Sequence, residues 1–428
     1  LCAAGLTAGE PDYDAVASWL CYNFVCTGGS LVREYRRVAA GTVARFDPAG
    51  RAGGATTYAA VRFGRDPVPP PALADALVER VRAAFDRLVA GEPELSVPLS
   101  GGFDSRLVAA LAAEPGRPPA RLTVVGTRPA EVAVARRVAA AVGLPLGVIP
   151  VDRQVVDLFD DPLYVLPEGL PVPRNLTAAV ARRRPGVAVA SGFMGDVLMR
   201  APINAAVRDF LALDDRGLGD ADLADAADRR YRVWTNRLHL LRGPVAARAV
   251  ERARAAMADA VRRGRPTGRP LAWTNLALRH GVYFAAVFQG HLAVADALLP
   301  FATWALADYH ARHGGSFAGG EYPTLFRRHF PRLAGVPHEA ELPPPPPARP
   351  RAAAASRHLR RWSAALLRGL PDVLAGASAV DPRKLLRRLP GGLLLDPSHP
   401  DELGYLHRVR AMETAARRAN VRIDWSRL

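Results

Sequence analysis

The run Ser100-Gly-Gly-Phe-Asp-Ser105 gathers two hydroxyls, a carboxylate and two glycines into six consecutive positions. Gly101 and Gly102 have no Cβ, so the backbone there can bend sharply and bring N–H groups close to an anion. Ser100 and Ser105 add hydroxyl donors, and such a loop suits phosphate. A second run, Ser191-Gly-Phe-Met-Gly-Asp196, offers a similar turn with its own carboxylate. Asp104 and Asp196 together could hold a hard divalent cation against phosphate oxygens. Arg106 follows the first loop, and a guanidinium also suits phosphate. Asp104, Arg106 and Asp196 are therefore the expected catalytic residues, with Ser100, Gly101, Gly102, Asp104, Ser105, Ser191 and Gly192 holding the phosphates.

The flanking sequence supplies elements to carry these loops. Leu95, Val97 and Leu99 alternate as a strand does, and Leu107, Val108 and Leu111 recur at helical spacing behind the loop. Leu73, Leu77, Val81, Phe85 and Leu88 predict a helix over 71–90. Further strands are expected at 122–125, 146–151 and 187–190, with a helix over 131–142. Strands alternating with helices predict an α/β fold on a parallel sheet. Helical spacing continues from 209 to 263, and 281–307 reads as a buried helix interrupted by Gln289, His291 and Asp296. Residues 12–50, with Trp19, Tyr22 and Phe24 ahead of an alternating stretch around Gly41, read as a small β-rich piece. Pro343 to Pro347 excludes helix and central strand, and Leu366, Leu367, Leu370, Leu385, Leu386 and Leu389 predict amphipathic helices beyond it.

Ser-Gly-Gly-Phe-Asp-Ser resembles the pyrophosphate loop of the N-type ATP pyrophosphatases. Ser191, Gly192, Gly195 and Asp196 are similar to the strand-end motif of the asparagine synthetase family, with Met194 at its middle glycine and Val197 at its glutamate. Asp296 to Thr303 resembles that family's substrate segment, with Pro300 and Phe301 kept, Leu298 in place of an arginine and Thr303 in place of an aspartate. The resemblance implies a parallel five-stranded-type sheet flanked by helices, of the adenine nucleotide alpha hydrolase kind, with a mostly helical C-terminal half. It implies ATP and Mg2+ as cofactors, Asp104 and Asp196 as metal ligands, and Val125 and Thr127 beside the adenosine. The implied activity is an AMP- and pyrophosphate-forming amide ligase acting on a small-molecule or peptide carboxylate, with ammonia or an amine from a separate source. The implied organisation is a remnant of a glutaminase domain and linker over 1–70, the ligase domain over 71–335, a Pro-rich linker over 336–356 and C-terminal helices over 357–428. The family's catalytic lysine has no counterpart near the polyproline stretch; Lys384 is the chain's lysine and reads as part of a surface helix.

Composition narrows the classes. A net charge of +16 and a pI near 10.7 over 428 residues would fit a nucleic-acid partner, but the basic residues are almost all arginine, and no basic run is interleaved with aromatics. That pattern points to compositional bias and argues against nucleic acid. Nothing in it suggests a membrane. Cys2, Cys21 and Cys26 form no CxxC motif, so a reducing, cytoplasmic setting without disulfides is expected. His280, His291, His310 and His313 lack the acid partner of an H-E-x-x-H zinc site. Glutamine hydrolysis is not expected, because too little chain precedes the phosphate loop for a glutaminase domain. Three other readings stay open: a tRNA-modifying enzyme of the same loop class, a decayed domain that binds nucleotide or a partner, and a peptide-cyclising amide former.

Overall fold

The computed structural model describes residues 9–64, 66–125, 129–149, 180, 183–200, 205–232, 238, 241–285, 292, 295–338, 341–342 and 423–427. An N-terminal helix α1 (Tyr13–Tyr22) precedes a hairpin of β1 (Thr42–Phe46) and β2 (Ala52–Thr57). Then come α2 (Pro70–Val89), β3 (Leu95–Pro98), α3 (Phe103–Ala112), β4 (Ala120–Val125), α4 (Pro129–Val142), β5 (Leu146–Ile149) and β6 (Ala188–Ala190). After β6 follow α5 (Gly195–Leu198), α6 (Ala205–Leu211), α7 (Asp220–Arg232), α8 (Gly243–Gly264) and α9 (Pro270–Trp273), which runs on as a π-helix over Thr274–Phe284. The strand β7 (Ala297–Leu298), α10 (Trp304–Arg312), α11 (Glu321–His329) and α12 (Pro331–Ala334) complete the order.

Five strands form one parallel sheet in the order β5-β4-β3-β6-β7. The expected α/β fold, a five-stranded parallel sheet flanked by helices, is what the chain adopts. The central strand β3 is covered on both faces, as parallel sheets require: Leu95, Ser96 and Val97 are all buried. Leu73, Leu77, Val81 and Phe85 of α2, Leu107, Val108 and Leu111 of α3, and Val134 and Val138 of α4 fill the core around it. Proline in the first turn of α2 loses no hydrogen bond there, which lets the helix begin abruptly at Pro70.

A second core is built from helices. Here the N-terminal reading needs correction, because Tyr13–Tyr22 is a helix and not part of a β-rich piece. The Asp12 carboxylate accepts from the backbone N–H groups of Asp14 and Ala15 at 3.0 Å, capping the helix start. Every residue from Ala15 to Tyr22 is buried, so no alternating or one-sided pattern marked it. The helix packs against α8, and the Tyr22 hydroxyl donates to Asp228 Oδ1 of α7 at 2.7 Å. Residues 12–22 are thus bound into the helical cluster, and the β content of the N-terminal stretch lies mainly in the β1–β2 hairpin. Trp425 closes the same core, and the Asp424 N–H donates to the Tyr13 hydroxyl at 3.2 Å.

The expected buried helix over 281–307 is also corrected. Ala297–Leu298 is a strand at the edge of the sheet, where the Asp296 and Leu298 carbonyls accept from the N–H groups of Val189 and Ser191 at 2.8 and 2.9 Å. An apolar run fits a buried strand as well as a helix, and its period does not separate them. No described helix is long and apolar enough to cross a membrane. Cys2, Thr127, Val151, His291, the polyproline stretch, Lys384 and the helices expected over 357–422 lie outside the described residues.

Trp19 is fully buried between α1 and the helices it meets. Trp19→Ala should lower the unfolding free energy by about 3–5 kcal/mol, read from urea denaturation followed by circular dichroism.

Candidate active site

The strands β3 and β6 are neighbours in parallel register, Leu95 beside Ala188 and Ser96 beside Val189, so their carboxyl ends deliver both loops to one place. In an open parallel sheet this end is where ligands bind. The first loop is held by its own hydroxyls. Ser105 Oγ accepts from the Ser100 N–H at 3.0 Å and lies 3.0 Å from Ser100 Oγ, which accepts from the Gly102 N–H at 3.3 Å. Gly102 then serves as the first, non-helical residue of α3, leaving the early N–H groups of that helix without a side-chain cap. The second loop turns on a bond from the Gly195 N–H to the Gly192 carbonyl at 3.2 Å, while Ser191 Oγ accepts from the Phe193 N–H at 3.3 Å.

The loops pack backbone to backbone. A methyl group on Gly192 would stand 2.6 Å from Ser105 N, and one on Gly195 would stand 2.6 Å from Asp104 Cγ. Met194 takes the left-handed conformation with φ 74°, a region open to glycine and strained for other side chains. This is the position where the resemblance places a glycine, and here methionine takes the left-handed conformation itself.

The close approach brings Asp104 and Asp196 together. Burial, and then the charge of Asp196, push the Asp104 carboxyl up to about 7. The nearby Tyr322 hydroxyl, Arg200 and the Asp196 backbone N–H favour the ionised form but are outweighed. Asp196 is also raised by burial, against the opposing charges of Arg200 and Arg279. Asp104 Oδ1 and the Tyr322 hydroxyl are both buried and form no hydrogen bond of ordinary geometry. Behind them, Phe103 stacks on Tyr322 with ring centres 5.3 Å apart.

The loop residues Ser100, Gly101, Gly102, Asp104, Ser105, Ser191, Gly192 and Asp196 are thus collected at one end of the sheet, and Val125 ends β4 at that same end. Arg106 requires a correction. Its side chain is buried, and its guanidinium donates to the carbonyls of Val336 at 2.6 Å and Pro337 at 3.0 Å, with the Phe103 ring 5.1 Å away. It pins the segment after α12 to α3, and both outer nitrogens are engaged there. Arg279 does stand near Asp196. Sequence reasoning passed over Arg200 and Tyr322. Arg200 lies four positions past Asp196 and could have been suspected from that spacing; Tyr322 carried no signal.

Among the described residues no three His, Cys, Asp or Glu side chains cluster as a metal cage, and the carboxylates of Asp104 and Asp196 stand as a pair. Mg2+ is commonly held by one or two carboxylates, with water and substrate phosphates completing its shell, so this oxygen donor set and the unpartnered Asp104 Oδ1 fit that ion. His310 belongs elsewhere, its Nδ1 donating to the Leu198 carbonyl at 3.1 Å. Cys21 and Cys26 are buried thiols outside any disulfide, pushed up to about 12 by burial, which leaves them inert.

The family model described as asparagine synthase matches residues 76–313, more than half of the chain. A search of curated proteins returned no match.

Gly195→Ala should cost about 1–3 kcal/mol by forcing Asp104 away from the second loop, measured by denaturant unfolding. A pH dependence follows from the raised Asp104. Its folded-state value of about 7 lies above the ordinary 3.8, so the neutral acid is favoured by folding and stability is lost as pH rises from about 4 through 7. In metal-free buffer Asp104→Asn should therefore match the parent near pH 4 and exceed it at pH 8, by on the order of 4 kcal/mol, in urea titrations at both values.

Proposed function

The chain belongs to the asparagine synthase family, and from that premise we propose that it joins a carboxylate to ammonia or an amine, using ATP and releasing AMP and pyrophosphate. The observation that carries this reading is the meeting of Asp104 and Asp196 on two glycine loops at adjacent strand ends. The first loop, with its serine hydroxyls and the uncapped start of α3, offers donors to a phosphate chain. Asp104 and Asp196 are the residues that would hold Mg2+, which when bound neutralises phosphate charge. Their side chains are placed by backbone contacts between the loops, so the donor set is in position before any ligand arrives.

The substrate carboxylate attacks the α-phosphate, and the adenylated acid is then opened by the nitrogen nucleophile. The backbone donors of the first loop stabilise the charge that gathers on the leaving pyrophosphate. The substrate segment supports a carboxylate other than aspartate. Leu298 holds its place through main-chain pairing with β6, and Thr303 caps α10 by accepting from the Leu306 N–H at 3.4 Å, so neither presents the charged group that the resemblance expects there.

The test is ATP–pyrophosphate exchange measured against a panel of free amino acids, other carboxylic acids and peptides, and tRNA. Exchange that depends on one carboxylate supports the ligase. Exchange only with tRNA would move the chain to the tRNA-modifying class, and nucleotide binding with no exchange would make it a decayed binding domain. Asp104→Ala and Asp196→Ala should each reduce exchange by roughly a hundredfold or more with the fold retained by circular dichroism.

A further inference from the structure

Arg200 is a cation beside two carboxylates that forms an ion pair with neither. It follows α5 on the same short turn that carries Asp196, and its charge favours the ionised form of both Asp104 and Asp196. No hydrogen bond ties its guanidinium to a described residue, and its Nε is buried without a partner. Its planar group lies 5.9 Å from the centre of the Tyr322 ring. Tyr322 is 2% exposed, it is locked in place by stacking on Phe103 and Phe326, and its hydroxyl lies by the Asp104 carboxyl without a hydrogen bond of ordinary geometry.

Three buried polar atoms stand around the loop crossing without a hydrogen bond of ordinary geometry: Arg200 Nε, and the Tyr322 hydroxyl and Asp104 Oδ1, whose side chains act on each other. Buried polar atoms are nearly always paired in folded proteins, and a cluster of unmet ones marks a place for a polar ligand. Two of the three are donors, one of them cationic, and their common complement is an anion with several acceptor oxygens. Arg279 also acts on Asp196, but it has other interactions, whereas no described residue hydrogen-bonds or ion-pairs with the Arg200 guanidinium.

We propose that Arg200 grips the β- and γ-phosphates of the bound nucleotide, with the Tyr322 hydroxyl donating to the same phosphate chain. This rests on the nucleotide-site reading above and names the side chains that do the holding. In the adenylation step a carboxylate oxygen of the substrate bonds to the α-phosphorus. The bond from that phosphorus to the bridging oxygen breaks, and the oxygen leaves with the electron pair as part of pyrophosphate. The guanidinium offsets the charge gathering on that leaving group, a service for which no described lysine exists.

The experiment is equilibrium binding by calorimetry, in Mg2+ buffer, of ATP, pyrophosphate and AMP to the parent chain, Arg200→Met, Arg200→Lys and Tyr322→Phe. Arg200→Met should weaken ATP and pyrophosphate by roughly 10- to 100-fold while AMP, which lacks the β- and γ-phosphates, binds as before. Arg200→Lys should regain part of the loss, and Tyr322→Phe, which keeps the ring stack, should lose a few-fold for ATP and pyrophosphate but not for AMP. If Arg200→Met melts below the parent, Arg200→Gln supplies the same comparison with a polar chain. Unchanged ATP affinity in the neutral variants, or an equal loss for ATP and AMP, overturns the proposal. A parent chain without ATP affinity overturns it together with the ligase reading; a parent that binds ATP but catalyses no exchange overturns the ligase reading alone.

Discussion

The first and second glycine loops meet where a single added carbon atom would collide with backbone, and most of the site's properties descend from that contact. Neighbouring parallel strands run less than 5 Å apart, so turns leaving their ends must interlock or swing away. Here they interlock, with Gly192 against Ser105 and Gly195 against Asp104. The two carboxylates are drawn together by the backbone, not by any attraction of their own. Loss of water, and at Asp104 the charge of Asp196, are built into the fold, and the charges of Arg200 and Arg279 offset them only in part.

The segment beside this contact is held largely through its main chain. The segment from Asp296 to Thr303 keeps its position through carbonyls that any residue possesses, and its helix start is capped by a threonine as well as by an aspartate. Met194 is the costlier substitution, because it holds a left-handed turn that glycine adopts without strain.

How much of this was legible in the sequence depended on range. Strand, loop and helix around residue 100 showed themselves because the alternation of Leu95 and Val97, the glycine pair and the helical spacing of Leu107 and Leu111 all agree locally. The second loop could be placed from its strand. Arg106 could not be assigned a direction, since successive helix residues turn by about 100° and Ser105 faces the loop while Arg106 faces Val336. The α1 helix was hidden by being buried on every side from Ala15 to Tyr22. Tyr322 reaches Asp104 only through packing of α11 against the loop helix, which no local period records.

The helical core has an order of assembly written into it. Tyr13, Trp19 and Leu20 lie in the same cluster as Trp425, and Arg248 and Arg252 donate to the carbonyls of Trp425 and Arg427. A ribosome delivers the chain from its N-terminus, so every strand of the sheet has emerged long before Trp425 is made. The sheet can close while synthesis continues, whereas the helices around α1 must wait with a patch of their apolar interior uncovered. Until Trp425 arrives, that core lacks the indole that closes it.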